Sequence, residues 1–232
     1  MRLDLLIQAK NNNPCFVAVE GIDGSGKTSL AESLVSALIS ADYNAKLICR
    51  TTPSKFPSAT ERLREIGDFL WNYPSNLDIE ELGDRHLISL MASWFYLFEN
   101  CVIRPELASG KIVVVEPWIN KYLARFLVKK QSWVLNLFAD LPVPDITILL
   151  DVEPEIAGMR KSAYRNTETN SRGSTSLVQF VDFQHEVRLK LLNLSSDKWL
   201  VIDAKHELKK NVDAILQQLT NCLEYQTLAK EP

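Results

Sequence analysis

The sequence predicts an α/β fold in which a parallel sheet of five strands is flanked by helices. Five short runs of β-branched and aliphatic residues recur along the chain, and amphipathic helical patterns lie between them. Continuous apolar runs are typical of strands covered on both faces, and the alternation with helices is typical of parallel sheets. The predicted strands cover residues 16–20, 45–49, 112–115, 146–150 and 199–202.

Length and composition favour one domain over residues 1–232. Hydrophobic residues make up 46% of the 232, which is enough for one sizeable core. The formal net charge is −3 and the charges are interspersed, so a nucleic-acid partner is disfavoured. The four cysteines show no CxxC spacing and the N-terminus shows no signal-peptide pattern, which together favour the cytoplasm.

Two helices can be placed from the pattern. Residues 28–39 carry an apolar face that includes Leu30, Leu34 and Leu38. Residues 77–109 predict a longer helix with a break near Gly83 and an end at Gly110. Its apolar part, residues 87–103, is interrupted by polar side chains and shorter than a membrane span, so we expect a buried helix and no membrane partner.

One segment, residues 161–176, contains almost no large apolar side chain. Such a composition predicts a surface loop or a mobile flap that does not pack into a core. Composition alone favours neither alternative.

The first predicted strand leads directly into a phosphate-binding motif. The string GIDGSGKT satisfies GxxxxGK followed by Ser or Thr, between an apolar strand and an amphipathic helix. In this context backbone N–H groups and the helix N-terminus converge on phosphate oxygens. The motif predicts a nucleoside triphosphate site, with ATP and Mg²⁺ as ligands, formed by Gly21, Asp23, Gly24, Ser25, Gly26, Lys27, Thr28 and Ser29.

Two side chains of the motif have distinct predicted roles. Lys27 is expected to face solvent and to reach the β and γ phosphates, and the Thr28 hydroxyl is expected to bind Mg²⁺. A glycine turn followed by a solvated lysine is the alternative interpretation.

The segment FVAVEGIDGSGKTSLAESL resembles the opening of the thymidylate kinase family, where EGxDGxGKT follows the first strand. PDITILLDVEP resembles a second family segment, at the fourth strand. Looser similarity covers Arg64 and Glu65, RPELASG and VIDA, so that the resemblance spans nearly the whole chain.

The resemblance implies a P-loop kinase fold that transfers the γ phosphate of ATP to a nucleoside monophosphate. It also implies a basic lid over the donor, and usually a homodimer. Residues 161–176 lie where that lid belongs. Because Lys27 is the only cation of the P-loop, a second must come from elsewhere, and Arg160, Arg165 and Arg172 are available; we favour Arg165 and Arg172 as catalytic.

The chain departs from the family at the predicted acceptor site. The family's DRY sequence after strand three is replaced by Glu116, Pro117 and Trp118, which keeps a carboxylate for the metal or the acceptor but loses an arginine. The family's REPGG becomes RTTPSK, in which Arg50 lies one place early. Arg50 is either a grip for the acceptor phosphate or a solvent-facing arginine at a strand end.

The acceptor helix departs further. Aligned on the family pattern LLFAADR, SLMASWF places Met91 at the phenylalanine that stacks on thymine and Phe95 at the arginine that binds the base. We therefore expect an acceptor other than dTMP, in a more apolar pocket shaped by Trp94, Phe95 and Trp118.

Three charged residues complete the predicted acceptor site. Lys121 and Arg125 lie four residues apart and can provide a relocated phosphate grip or a solvated helix face. Asp23 is retained from the family, where its counterpart faces the acceptor sugar.

Two classes of function follow from these features. The first is an ATP-dependent kinase that acts on a nucleoside monophosphate or a similar acceptor by direct transfer. The second is a nucleotide-binding protein with little catalysis that uses flap closure as a switch. The intact P-loop favours the first, and the altered acceptor residues favour the second.

Overall fold

The computed structural model describes residues 14–72, 79–170, 175–197 and 199–228. Its centre is one five-stranded sheet. All five predicted strands are confirmed, with ends that differ by at most one residue. They are β1 Cys15–Glu20, β2 Ala45–Cys49, β3 Ile112–Glu116, β4 Ile146–Asp151 and β5 Trp199–Asp203. The strand order is β2-β3-β1-β4-β5, and every neighbouring pair is parallel.

Helices cover both faces of this sheet. The helices are α1 Lys27–Ser40, α2 Pro57–Trp71, α3 Asp84–Phe98, α4 Arg104–Ala108, α5 Asn120–Val128, α6 Val134–Leu137, α7 Pro154–Met159, α8 Asn166–Thr169, α9 Leu177–Leu194 and α10 Leu208–Leu228. One face of the sheet packs against α1 and α10, and the other packs against α2, α3, α5, α7 and α9.

The central strand β1 is buried over its whole length, because both of its neighbours and both layers of helices cover it. Its alternate side chains therefore point into opposite apolar layers, as the continuous apolar run predicts. Val17 and Val19 contact the α1 layer, while Phe16 and Ala18 contact the α3 layer. The carboxyl end of β1 is thus held rigidly where the phosphate-binding motif begins.

The long apolar helix has the predicted break. A short 3₁₀ turn, Ile79–Leu82, is separated from α3 by Gly83, which has a φ of 79°. At the other end of α3, a π-helical turn, Glu99–Ile103, joins α3 to α4. The helical stretch Asp84–Ala108 is long and apolar enough to cross a membrane, but half of its apolar window is buried inside the protein. The prediction of a buried core helix is confirmed; residues 77 and 78 lie outside the described residues.

Aromatic side chains dominate the layer between α3 and the sheet. Phe95 is 1% exposed and lies edge-on to Trp94, Trp118 and Tyr122 with ring centroids 5.2–5.5 Å apart, and Trp118 is fully buried against Phe16. The Trp94 indole donates to the carbonyl oxygen of Leu63 at 2.9 Å. Trp94, Phe95 and Trp118 therefore form core and not the walls of an acceptor pocket, since no face remains for a ligand.

The described part of residues 161–176 packs more closely than its composition predicts. The Tyr164 ring lies 4.9 Å from that of Phe180, and Glu168 and Thr169 are buried. The Gln184 side-chain amide donates to the Glu168 carbonyl oxygen at 2.8 Å. The expectation that this segment makes no core contacts is therefore wrong for these residues, because α9 provides the Phe180 ring and the buried Gln184 amide as partners. Residues 171–174 lie outside the described residues.

We predict that Phe95→Ala destabilises the fold by about 3–5 kcal/mol, because the substitution leaves a cavity between four aromatic side chains. Urea unfolding followed by circular dichroism measures this free energy. Phe56→Ala is the matched control, since Phe56 is 47% exposed. A normal free energy of unfolding together with a raised acceptor KM would return Phe95 to the acceptor site.

Candidate active site

The turn between β1 and α1 forms a cradle that only glycine permits at two positions. Gly24 has φ 77° and Gly26 has φ 100°, both in the left-handed region. A Cβ on Gly24 would collide with the carbonyl oxygen of Ala157 in α7. Gly21 leads into the turn, Ser25 is 1% exposed, and Thr28 and Ser29 face outward at the start of α1. The backbone can therefore approach a phosphate closely, beside a helix N-terminus.

Lys27 does not face solvent, contrary to the sequence-based expectation. Its side chain is 6% exposed, and its ammonium donates to the Ile22 carbonyl oxygen at 2.6 Å and to the Ser25 hydroxyl at 3.4 Å. The loop curls around the lysine, so its own polar atoms bind the ammonium. Burial, together with the charge of Lys121, lowers the pKa of Lys27 to about 8. The ammonium remains mostly charged at pH 7.

Thr28 and Glu116 are brought together from two strand ends. Because β3 pairs with β1 in parallel, the end of β3 lies beside the start of α1, and the Thr28 hydroxyl donates to Glu116 Oε2 at 3.1 Å. A hydroxyl and a carboxylate at this spacing are hard oxygen ligands of the kind Mg²⁺ prefers. The described residues contain no cluster of three His, Cys, Asp or Glu side chains, so phosphate oxygens and water would supply the other ligands.

Asp23 of the loop is held by two cations of α5. It pairs with Lys121 Nζ at 2.9 Å and with the Arg125 guanidinium, and its side chain is 12% exposed. Burial by itself would raise the pKa of Asp23, but the charges of Arg125 and Lys121 outweigh burial and hold it well below its usual range. Lys121 and Arg125 were predicted as a relocated phosphate grip or a solvated helix face; the solvated face is wrong, because both are largely buried and pair with the Asp23 carboxylate.

Glu20, the last residue of β1, was missed by sequence reasoning. Its carboxylate is fully buried and accepts the backbone N–H groups of Asn120 at 2.8 Å and Lys121 at 3.2 Å. Burial raises its pKa from 4.5 to about 7, against the opposing influence of these donors and of Lys121 and Lys27. The available signal was a glutamate that closes an otherwise apolar strand directly before the loop.

Arg160 lies on the other side of the loop. Its guanidinium donates to the Ser25 carbonyl oxygen at 3.1 Å and to the Ala204 carbonyl oxygen at 3.2 Å. A cavity of about 250 Å³ opens here, between the start of α1 and the turn after β5, and its lining includes His206 and Asn211. Arg160 therefore lies at the rim of a cavity that adjoins the phosphate cradle, where a donor nucleotide can extend.

Arg50 borders a cavity of about 310 Å³ between the end of β2 and α2, which we call the Arg50 cavity. Its guanidinium lies 4.8 Å from the ring centre of Trp71, and Arg64 and Asp68 line the same space. Cys49 pairs with Glu116 in the sheet, and Arg50 is the next residue along the chain. Arg50 therefore comes directly after the strand position beside Glu116, the candidate metal ligand. Trp71 and Arg64 carried no predicted site role.

Met91 borders a second cavity, of about 100 Å³, which we call the Trp71 cavity. Trp71 is a wall of both cavities, and Tyr122, Arg125, Phe126 and Phe183 also line the second one. Three residues were predicted to contact the acceptor from α3 and the turn after β3: Met91, Phe95 and Trp118. Of these three, only Met91, which is 8% exposed, lines a cavity described here.

Arg165 connects the flap to this region. It precedes α8, and its guanidinium lies 3.5 Å from the Trp71 carbonyl oxygen. Thr167 and Asn170 of the same segment line the Trp71 cavity. The predicted catalytic role of Arg172 falls on a residue outside the described ranges.

The sheet order, the glycine cradle and the Thr28–Glu116 pair define a P-loop nucleotide-binding protein of the kinase type. Comparison with known proteins refines this class. A family model described as thymidylate kinase matches residues 19–215.

Individual relatives agree with this match. The thymidylate kinase of Leuconostoc mesenteroides is 31% identical over 206 residues, which cover 86% of this chain and 92% of the relative. The probable thymidylate kinase of Archaeoglobus fulgidus is 30% identical over 215 residues (89% and 96%), and the thymidylate kinase of Caenorhabditis elegans is 28% identical over 226 residues (93% and 95%). The chain belongs to the thymidylate kinase family.

We predict that Glu20→Gln removes part of the pH dependence of stability. The pKa of Glu20 is higher in the folded chain than in the unfolded one, so its favourable contribution is complete below about pH 4.5 and is lost as the pH rises through about 7. Wild type should lose up to about 3 kcal/mol relative to Glu20→Gln between these limits.

Urea unfolding at a series of pH values measures this difference. Glu32→Gln is the matched control, because Glu32 is exposed on α1. Parallel stability curves for wild type and Glu20→Gln would contradict the prediction.

Proposed function

We propose that this protein is an ATP-dependent nucleoside monophosphate kinase that transfers the γ phosphate directly to its acceptor. The observation that carries the proposal is the 3.1 Å contact between the Thr28 hydroxyl and Glu116, at the mouth of a glycine cradle. The family membership supports a nucleotide kinase function. Phosphoryl transfer requires positioning and charge stabilisation rather than a covalent intermediate, and this site offers both.

The donor side uses the loop residues. Bound ATP–Mg²⁺ would supply the phosphoryl group and the metal charge that balances it. Thr28 and Glu116 would hold the metal, directly or through water, and Lys27 would turn from the Ile22 carbonyl to phosphate oxygens. That exchange is feasible because, among the described residues, the ammonium makes two hydrogen bonds, both within the loop itself.

A second cation would come from the segment after β4. Arg160 already contacts the loop at the Ser25 carbonyl oxygen, and Arg165 contacts Trp71 from the flap. We propose residues 161–176 as the lid, with Arg165 and Arg172 moving onto the transferred phosphoryl group and Arg160 remaining with the donor. Charge that spreads over the transferred group is best stabilised by cations in a site from which water is excluded.

Arg50 is our proposed grip for the acceptor phosphate. Lys121 and Arg125 are already committed to Asp23, so a phosphate would have to compete with a buried carboxylate for them. Arg50 has no carboxylate partner among the described residues and lies against the face of Trp71. It can therefore take on an anion without breaking an ion pair.

The acceptor is proposed to be a nucleoside monophosphate other than dTMP. The names of the relatives make dTMP the first acceptor to test. However, position 95 holds a buried phenylalanine and not the arginine of the family pattern, so this position offers no donor to a base carbonyl. Met91 offers no rigid plane for stacking, because its thioether chain is flexible.

Lys27→Ala should lower kcat/KM for ATP by about 10²-fold, since the ammonium would no longer stabilise charge on the transferred phosphoryl group. Coupled ADP release and calorimetric titration with ATP–Mg²⁺ measure turnover and binding. Lys210→Ala is the control, because Lys210 is exposed on α10. Unchanged turnover and unchanged affinity would remove Lys27 from the phosphate site.

We predict that dTMP is a poor acceptor, with kcat/KM below about 10⁵ M⁻¹s⁻¹. Steady-state kinetics with dTMP beside the other common nucleoside monophosphates measure this. A dTMP kcat/KM of about 10⁵ M⁻¹s⁻¹ or above, which lies within the ordinary range for an enzyme on its own substrate, would contradict the prediction. ATP binding without acceptor-stimulated ADP release would instead identify a nucleotide-binding switch.

A further inference from the structure

A single buried amide joins the phosphate loop to the flap. The Gln184 side chain on α9 is 0% exposed and takes part in two hydrogen bonds, one at each polar atom. Its Oε1 accepts the Asp23 backbone N–H at 3.2 Å, and its Nε2 donates to the Glu168 carbonyl oxygen at 2.8 Å. One side chain therefore spans the distance from the loop after β1 to α8 of the flap, and we call it the Gln184 bridge.

Both partners of the Gln184 bridge are backbone groups, which makes it sensitive to position. A backbone N–H or C=O moves only with the segment that carries it, so rotation of the Asp23 or Glu168 side chain cannot preserve either bond. A buried amide is costly to leave unpaired at either end. The two hydrogen bonds together therefore favour one placement of the flap relative to the loop.

Helix α9 supports the bridge rigidly. Phe180, Gln184 and Arg188 follow one another at four-residue spacing and so lie on one side of the helix. The Phe180 ring lies 4.9 Å from that of Tyr164 in the flap. The Arg188 guanidinium donates to both carboxylate oxygens of Asp151, at the end of β4, at 2.6 Å each. The helix is thus fixed one turn before and one turn after the amide.

The flap end of the bridge leads to a cation. Glu168 lies in the last turn of α8, where a carbonyl oxygen has no partner within the helix, and Gln184 supplies one. The Glu168 carboxylate also accepts the backbone N–H of Arg165 at 3.2 Å and pairs with the Lys161 ammonium at 3.3 Å. The position of Arg165 is therefore tied to Gln184 through Glu168.

The loop end of the bridge lies directly before the glycine cradle. Asp23 precedes Gly24, and α9 holds its backbone while Lys121 and Arg125 of α5 hold its side chain. A phosphate that draws the loop inward would move the Asp23 N–H with it. Because Gln184 accepts from that N–H, the movement would be transmitted to the flap.

We propose that Gln184 is a positioning residue for phosphoryl transfer, which holds the flap, and with it Arg165, in a defined position relative to the phosphate loop. This inference rests on the proposed function and adds a residue of α9 to it. Gln184 acts through these two segments, because both of its hydrogen bonds are made to the backbone of the protein itself.

Gln184→Met tests the bridge, because methionine has nearly the same length but lacks the amide. We expect kcat to fall tenfold or more with the common nucleoside monophosphate that wild type converts fastest. The calorimetric Kd for ATP–Mg²⁺ should change less than threefold, since the glycine cradle and the helix N-terminus stay intact. Gln218→Met is the matched control, because Gln218 is exposed on α10.

A second variant covers the case in which Gln184→Met does not fold, which thermal melting reveals. Gln184→Asn keeps an amide but is one methylene too short to reach both partners, and it should show the same loss of kcat. A kcat within threefold of wild type in either folded variant would overturn the inference.

A double-mutant cycle shows whether Gln184 acts through Arg165. Arg165→Ala should lower kcat by itself, and adding Gln184→Met should lower it less than threefold further, because the flap then lacks the cation that the bridge positions. Two losses that multiply would show that Gln184 acts independently of Arg165 and would overturn the inference.

Amide hydrogen exchange detects the same coupling without turnover. In wild type, ATP–Mg²⁺ should slow exchange in residues 161–170, and Gln184→Met should abolish this slowing. Tyr164→Leu loosens the flap without cutting the bridge, so its exchange should be faster throughout but still slowed by ATP–Mg²⁺. Slowing that persists in Gln184→Met, or that Tyr164→Leu abolishes equally, would contradict the proposal.

The exchange measurement also separates this inference from the kinase proposal. Slowing that depends on Gln184, in a protein that transfers no phosphoryl group to any of the common nucleoside monophosphates, would support the coupling and refute the kinase activity. Turnover together with slowing that is independent of Gln184 would leave the kinase proposal standing and overturn the role of the bridge.

Discussion

The structure depends on how charge is buried beneath the phosphate loop. Five charged side chains lie at the junction of β1, the loop and α5: Glu20, Asp23, Lys27, Lys121 and Arg125. Buried charges are costly unless they are paired and hydrogen-bonded. Asp23 pairs with two cations at once, Lys121 and Arg125. The Glu20 carboxylate accepts hydrogen bonds from the first N–H groups of α5. The docking of α5 therefore stabilises the shape of the loop, together with the contacts from Arg160 and Gln184.

This docking couples the two halves of the site. Arg125 contacts Asp23 on one side and lines the Trp71 cavity on the other, so the phosphate loop and this cavity share a residue. Trp71 lines both the Arg50 cavity and the Trp71 cavity and meets Arg165 from the flap. A ligand that moves Arg125 would disturb its ion pair with Asp23 of the phosphate loop.

The departures from the family have a common physical basis. With Phe95 on α3, the aromatic core extends to a position where the family pattern has an arginine, and Trp118 after β3 packs against Phe95. Edge-to-face contacts among Phe16, Trp118, Phe95 and Tyr122 stabilise this packing. Charged side chains that face the two cavities include Arg64 and Asp68 on α2 and Arg125 on α5.

The sequence by itself determined the strands, the helix after the loop and the glycine cradle, because periodicity and short motifs are local. The tertiary structure alone decided that Lys27 turns inward, that Phe95 and Trp118 are core, and that Asp23 binds residues 98 and 102 positions away. An aromatic side chain suits a core and a pocket equally well, and a charge shows no partner until the chain folds. Only packing, which depends on distant residues, distinguishes these alternatives.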